Sequence, residues 1–114
     1  LFTIILKENL FLVRRVCRTE RANAWKVADI LTKICNAYEE DGRDKATIYI
    51  GGAGTPAAEI TVCAEWTQKT IDANRMPNVP AAVRENAPKL MELIQSYDIE
   101  FFEIATKDKI KERT

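Results

Sequence analysis

Residues 57–66, AAEITVCAEW, alternate with a period of two. Ala58, Ile60, Val62, Ala64 and Trp66 fall on one side, and Glu59, Thr61, Cys63 and Glu65 on the other. This is the pattern of a strand with one buried face. A second β-rich run, KATIYI at 45–50, precedes it, and only GGAGTP separates the two. The glycines permit positive φ and Pro56 fixes its own, so the pair reads as a β-hairpin. A phosphate-binding loop would need a helix after the glycines and, in its Walker form, a Gly-Lys-Ser/Thr ending. Here a strand follows and the loop has no lysine. A dinucleotide fingerprint fails for the same reason, and its third glycine is missing. The bare backbone still lets a ligand or partner chain come close.

The hairpin is flanked by two helical patterns. In TERANAWKVADILTKICNAYEEDGR, Trp25, Ala28, Leu31, Ile34 or Cys35, and Tyr38 recur at helical spacing. Thr19 or Asn23 is placed to cap its start, and Gly42 to follow its end. AAVRENAPKLMELIQSY begins beside Pro80 and carries Val83, Ala87, Leu90, Met91 and Ile94 on one face. Pro88 sits inside it, which predicts a kink or a helix that starts only near Asn86. TQKTIDANRM, with Thr67 as cap, reads as a short helix ended by Pro77. Strands are expected at 10–17, LFLVRRVC, and 98–106, DIEFFEIAT. Residues 2–6, FTIIL, form an extra N-terminal strand or arm across 1–9. KEN between that run and LFLVRRVC is a turn, a bulge or a bend. Residues 107–114 read as a polar, mildly basic tail. The order β, (β), α, β, β, α, β gives a single α+β domain over 1–114.

The remaining composition mostly excludes. Seventeen basic and seventeen acidic residues cancel, which gives no nucleic-acid footprint. No apolar run approaches the roughly 18 residues of a membrane-spanning helix. LFTIILKENLFL lacks the basic n-region and cleavage site of a secretory signal. Cys17, Cys35 and Cys63 lie far apart among apolar neighbours, with no CxxC. They read as core thiols in a reducing, cytoplasmic setting, without a disulfide framework or zinc site. The chain has no histidine, which removes the commonest general base and most metal ligation. No metal or cofactor is expected, and catalysis would fall to carboxylates, Lys, Tyr, Cys or Arg.

A βαββαβ order in about 100 residues is the ferredoxin-like split arrangement. With strand 10–17, helix 20–41, the hairpin 45–66, a proline-broken helical stretch 67–96 and strand 98–106, the chain resembles the dimeric α/β-barrel superfamily. The resemblance implies an antiparallel sheet from each of two chains, paired into a barrel with the helices outside. Strand 10–17 agrees, because Leu10, Leu12 and Val16 lie on one face and Phe11, Val13 and Cys17 on the other. One layer of helices covers one face, so the other asks for a partner, and a homodimer is expected. Relatives of that fold include cofactor-independent antibiotic-biosynthesis monooxygenases, cyclases, haem enzymes and stress-responsive barrels. The haem branch relies on a histidine absent here.

The resemblance also implies a ligand cleft between sheet and helices. Trp25, Tyr38, Tyr49 and Trp66 are candidates to line it, with core packing as the plainer role for each. Arg14 and Arg15 interrupt an apolar strand, one on each face. Either is a structural ion pair with Glu59 or Glu65, or an anion-binding group. Asp29 is solvated, or a base if it faces the cleft. NRMPN, 74–78, is a connection or a rim loop whose Arg75, Asn74 and Asn78 offer donors. Three roles fit: a barrel that binds a small apolar molecule or a partner protein, a cofactor-independent monooxygenase or cyclase, and a ligand-sensing regulatory domain.

Overall fold

The computed structural model describes residues 10–52, 59–73 and 75–114. The expected strand at 2–6, the KEN turn, the middle of the glycine loop and Asn74 lie outside them. The chain forms β1 (Phe11–Glu20), a 3-10 turn (Arg21–Asn23), α1 (Ala24–Glu40), β2 (Thr47–Gly51), β3 (Glu59–Gln68), α2 (Ala81–Leu93), β4 (Ile94–Glu103) and α3 (Lys107–Arg113). The four strands make one sheet in the order β2-β3-β1-β4. All its neighbours are antiparallel, which is the ferredoxin-like arrangement. β2 and β3 pair across the glycine loop as a hairpin.

Register decides which side chains share a face. Arg15 lies opposite Ala64 on β3 and Ile99 on β4. Because strand side chains alternate, Val13, Arg15, Cys17 and Thr19 join Ile60, Val62, Ala64 and Trp66 under the helices. Val13, Cys17, Thr19, Val62 and Ala64 are wholly buried there. Leu12, Arg14, Val16 and Arg18 point the other way, with Cys63, Glu65, Asp98 and Glu100. That face carries more charge than its apolar residues alone suggested.

α1 supplies most of the cover. Val27, Leu31, Ile34 and Tyr38 recur every three or four residues and are all buried. Each such side chain contributes roughly 1.5–3 kcal/mol relative to exposure. Trp25 is not in this stripe and is 78% exposed. It stands six residues from Leu31, and at 3.6 residues per turn this places it about 120° from the buried centre. α2 packs beside α1 through Val83 and Leu90.

Several boundaries differ from the expected ones. β1 and β3 run on through their polar ends to Glu20 and Gln68. Where a helix is expected over 67–76, residues 67–68 finish β3 and 69–73 are bends and turns. Gln68 turns the chain there by donating from Nε2 to the carbonyls of Thr70 and Ile71. α2 starts at Ala81 and continues through Pro88, so it does not wait for Asn86. Asn86 is buried and donates to the Ala82 carbonyl at 2.7 Å. α2 stops at Leu93 and passes straight into β4, four residues earlier than the sequence pattern predicts. The Thr19 hydroxyl holds that junction by donating to the Leu93 carbonyl at 2.6 Å. Asn23, not Thr19, occupies the cap position of α1. The polar tail is the helix α3, because Thr106 caps it and Lys111 and Arg113 complement its C-terminal end.

Candidate functional site

The sheet separates two polar clusters. On the open face, Arg14 donates from Nε to Glu65 Oε1 at 2.9 Å. Its Nη1 reaches Glu100 Oε1 at 3.4 Å, and its guanidinium lies over the Phe102 ring at 5.2 Å. The Tyr49 hydroxyl also donates to Glu65 Oε1, at 2.9 Å. Partial burial and that bond push the Tyr49 phenol up to about 12. Arg18 pairs with Asp98 at 2.7 Å. Arg14 is therefore the structural ion pair, with Glu65 as its expected partner. Glu59 is exposed at the start of β3. Tyr49 belongs to this open face because it lies opposite Cys63, so it does not line a cleft under the helices.

On the helix face the chemistry is different. Arg15 is half-buried, with its guanidinium 5.7 Å from the Trp66 ring and 5.9 Å from Tyr97. Its Nε is buried without a hydrogen-bond partner among the described residues, and none of the ion pairs among them involves Arg15. Arg43 lies beside it, 4.0 Å from the Tyr38 ring and 4.5 Å from Trp66. Burial, and then the nearby positive charge of Arg15, hold the Arg43 guanidinium below its ordinary value.

The position of Arg43 follows from the way α1 ends. Gly42 has φ +107°, its N–H bonds the Glu39 carbonyl, and the Arg43 N–H bonds the Tyr38 carbonyl. This paired closure is a Schellman motif. It folds the chain back so that Arg43 stacks on Tyr38. Gly42→Ala should cost about 1 kcal/mol through the strained φ. Chemical denaturation would show this as a lower midpoint with an unchanged slope, and unchanged stability would contradict this account.

Trp66, 2% exposed, packs against both guanidiniums. Its Nε1 donates to Gln68 Oε1 at 3.0 Å. Gln68 and Arg43 in turn line a cleft of about 340 Å³ with Asp41, Asp44, Lys69 and Met76. On the opposite side of Arg15, Ile99 and Phe101 of β4 are 38% and 44% exposed.

Arg15, Trp66 and Tyr38 are thus the sequence candidates that come together. Arg14, Tyr49 and Glu65 meet across the sheet from them. Trp25 is at the outer surface. Asp29 is exposed and paired with Lys33 at 3.0 Å, and Arg75 is exposed in the turn before Met76. Arg43 and Tyr97 are additional members. Arg43 had a readable signal, since a Gly at the helix end places the next residue over the one five positions earlier.

The described thiols and the Tyr97 phenol beside this cluster are poor bases near neutral pH. Burial pushes the Cys17 thiol up to about 11 and raises Cys35 and Tyr97. Among the described residues no set of three Cys, Asp or Glu side chains is placed to hold a metal ion. An unfolded Cys17 thiol ionises near its ordinary value of 9, before the folded one does. Its contribution is therefore constant below pH 9 and is lost as pH rises toward 11. Melting curves of the wild type and Cys17→Ala across that window should show a shallower decline for the variant. Parallel declines would contradict the shift.

No protein-family model matches the sequence, and no curated protein matches it. Solved structures do match in shape. A candidate antibiotic biosynthesis monooxygenase from Chloroflexus aurantiacus J-10-fl superposes with a TM-score of 0.57 at 8% identity, over 85% of this chain and 94% of that one. The chain shares its ferredoxin-like fold. A conserved protein of unknown function from Bacteroides thetaiotaomicron VPI-5482, described as a candidate oxidoreductase, gives 0.54 at 16% identity, over 85% and 100%. A Mycobacterium tuberculosis protein gives 0.52 at 14% identity, over 84% and 97%. At these identities the likeness concerns the fold. No helix among the described residues is long and apolar enough to cross a membrane.

Proposed function

We propose that this chain binds a small, largely apolar molecule on the helix face, at the cluster of Arg15, Trp66, Tyr97 and Arg43, and acts as a homodimer. The observation that carries the reading is Arg15. A half-buried guanidinium with an unbonded Nε is costly, and here aromatic rings surround it where a carboxylate would be expected. An outside ligand would satisfy it. The homodimer rests on the sheet face opposite α1, where Leu12 and Phe102 stay partly exposed among paired charges. Three free, buried thiols accord with a reducing, cytoplasmic setting.

A second reading, a cofactor-independent small-molecule enzyme of the monooxygenase or cyclase type, draws on the same cations. Two adjacent guanidiniums would stabilise an enolate or phenolate as it formed. The descriptions of two structural neighbours point the same way for those proteins. Binding remains the better reading, because the described thiols and the Tyr97 phenol beside the cluster are poor bases near neutral pH. Native mass spectrometry of the purified protein tests both parts of the proposal. Twice the chain mass with a retained small molecule supports it, and a ligand-free monomer would overturn it.

A further inference from the structure

Resting on the small-molecule reading above, we infer that the ligand is a planar aromatic monocarboxylate, held by Arg15 with its ring system along Tyr97, Ile99 and Phe101. Four observations lead there. First, Arg15 offers a planar fork that matches a carboxylate in two parallel bonds. Its Nε has no acceptor among the described residues. Second, Arg43 adds a positive charge near Arg15, which favours an anion at this end of the sheet. Third, the charge must be modest. The C-terminal end of α1 presents carbonyls toward this region, and Asp41 and Asp44 line the adjoining cleft. A polyphosphate would meet that negative potential, whereas a single carboxylate remains beside the arginines. Fourth, Ile99 lies directly opposite Arg15 and Phe101 opposite Val13 on the same face. Both are partly exposed, so an apolar strip starts at the cation and leads away from it. Trp66 and Tyr97 flank its polar end, and flat rings stack on such walls.

The test uses the two tryptophans. Trp25→Phe removes the exposed indole and leaves Trp66 as the single indole N–H signal in a nitrogen-15 spectrum. This variant is titrated with 2-naphthoate and, separately, with the neutral isostere 2-naphthamide. The acid should shift the Trp66 signal saturably and bind at least about tenfold more tightly than the amide. Adding Arg15→Gln should weaken the acid by a similar factor while the backbone spectrum stays folded. Should that second variant fail to fold, the acid-to-amide ratio decides alone. Equal binding of acid and amide would overturn the carboxylate assignment and leave the small-molecule reading standing. Acid binding that is indifferent to Arg15→Gln would overturn the role of Arg15. A Trp66 signal unmoved by either compound at millimolar concentration would overturn both readings.

Discussion

Trp66→Ala should be the most damaging single truncation in this chain, at about 3–5 kcal/mol. The indole is 2% exposed, packs against two guanidiniums and bonds Gln68. Gln68 in turn shapes the bends after β3. Removing the ring therefore opens a cavity, exposes two cations to each other and loosens the turn. Trp66→Phe separates these effects, because it keeps a ring beneath the arginines and loses only the N–H donor. Urea denaturation should rank wild type above Phe and Phe above Ala. If the alanine variant lost less than about 1 kcal/mol, the typical size of one hydrogen bond, Trp66 would not be a wall of the packed interior.

Leu31→Ala should follow at about 2–5 kcal/mol. Leu31 is 1% exposed at the middle of the buried stripe of α1 and packs in the main core cluster. Trp66 belongs to a separate cluster, so loss of the Leu31 side chain should lower the denaturation midpoint and leave 2-naphthoate affinity per folded molecule unchanged. A parallel loss of affinity would mean that α1 positions Tyr38 and the arginines more directly than the packing suggests. Trp25→Ala, on the same helix, is the natural control and should move stability by less than about 0.5 kcal/mol, as surface substitutions do.

These contrasts show which parts of the molecule could be read from the chain. The β3 pattern was legible because its alternation is strict: every second residue from Ile60 to Trp66 is buried. The end of α1 was legible because Gly42 has one obvious conformational use. The α2–β4 junction was not. Ile94 continues the helical spacing of α2, but pairing with Thr19 of β1 draws it into the sheet, and tertiary pairing outweighs local propensity. TQKTIDANRM has helix formers and a cap, yet Gln68 ties residues 69–73 into bends and turns. In the site, Arg14 and Arg15 were visible as oddities in an apolar strand. Their separate fates needed register, because only pairing shows that Glu65 faces Arg14 and Trp66 faces Arg15. Arg43 looked like one more charge in EEDGRDK, although Gly42 before it marks the residue that folds back over Tyr38.

The two adjacent arginines of β1 bear on how this protein can change over generations. Arg14 and Arg15 are consecutive in the chain, yet the sheet holds them in separate environments with no shared partner. Selection on one face can therefore act with little effect on the other: the residues around Arg14 can drift while those around Arg15 are kept, and the reverse. Such independence has one weak point, the parity of the strand. A single-residue insertion or deletion anywhere between Phe11 and Arg14 would exchange the two faces at once. Substitutions should thus accumulate readily along β1, while length changes within it should be almost absent from any lineage that keeps the fold.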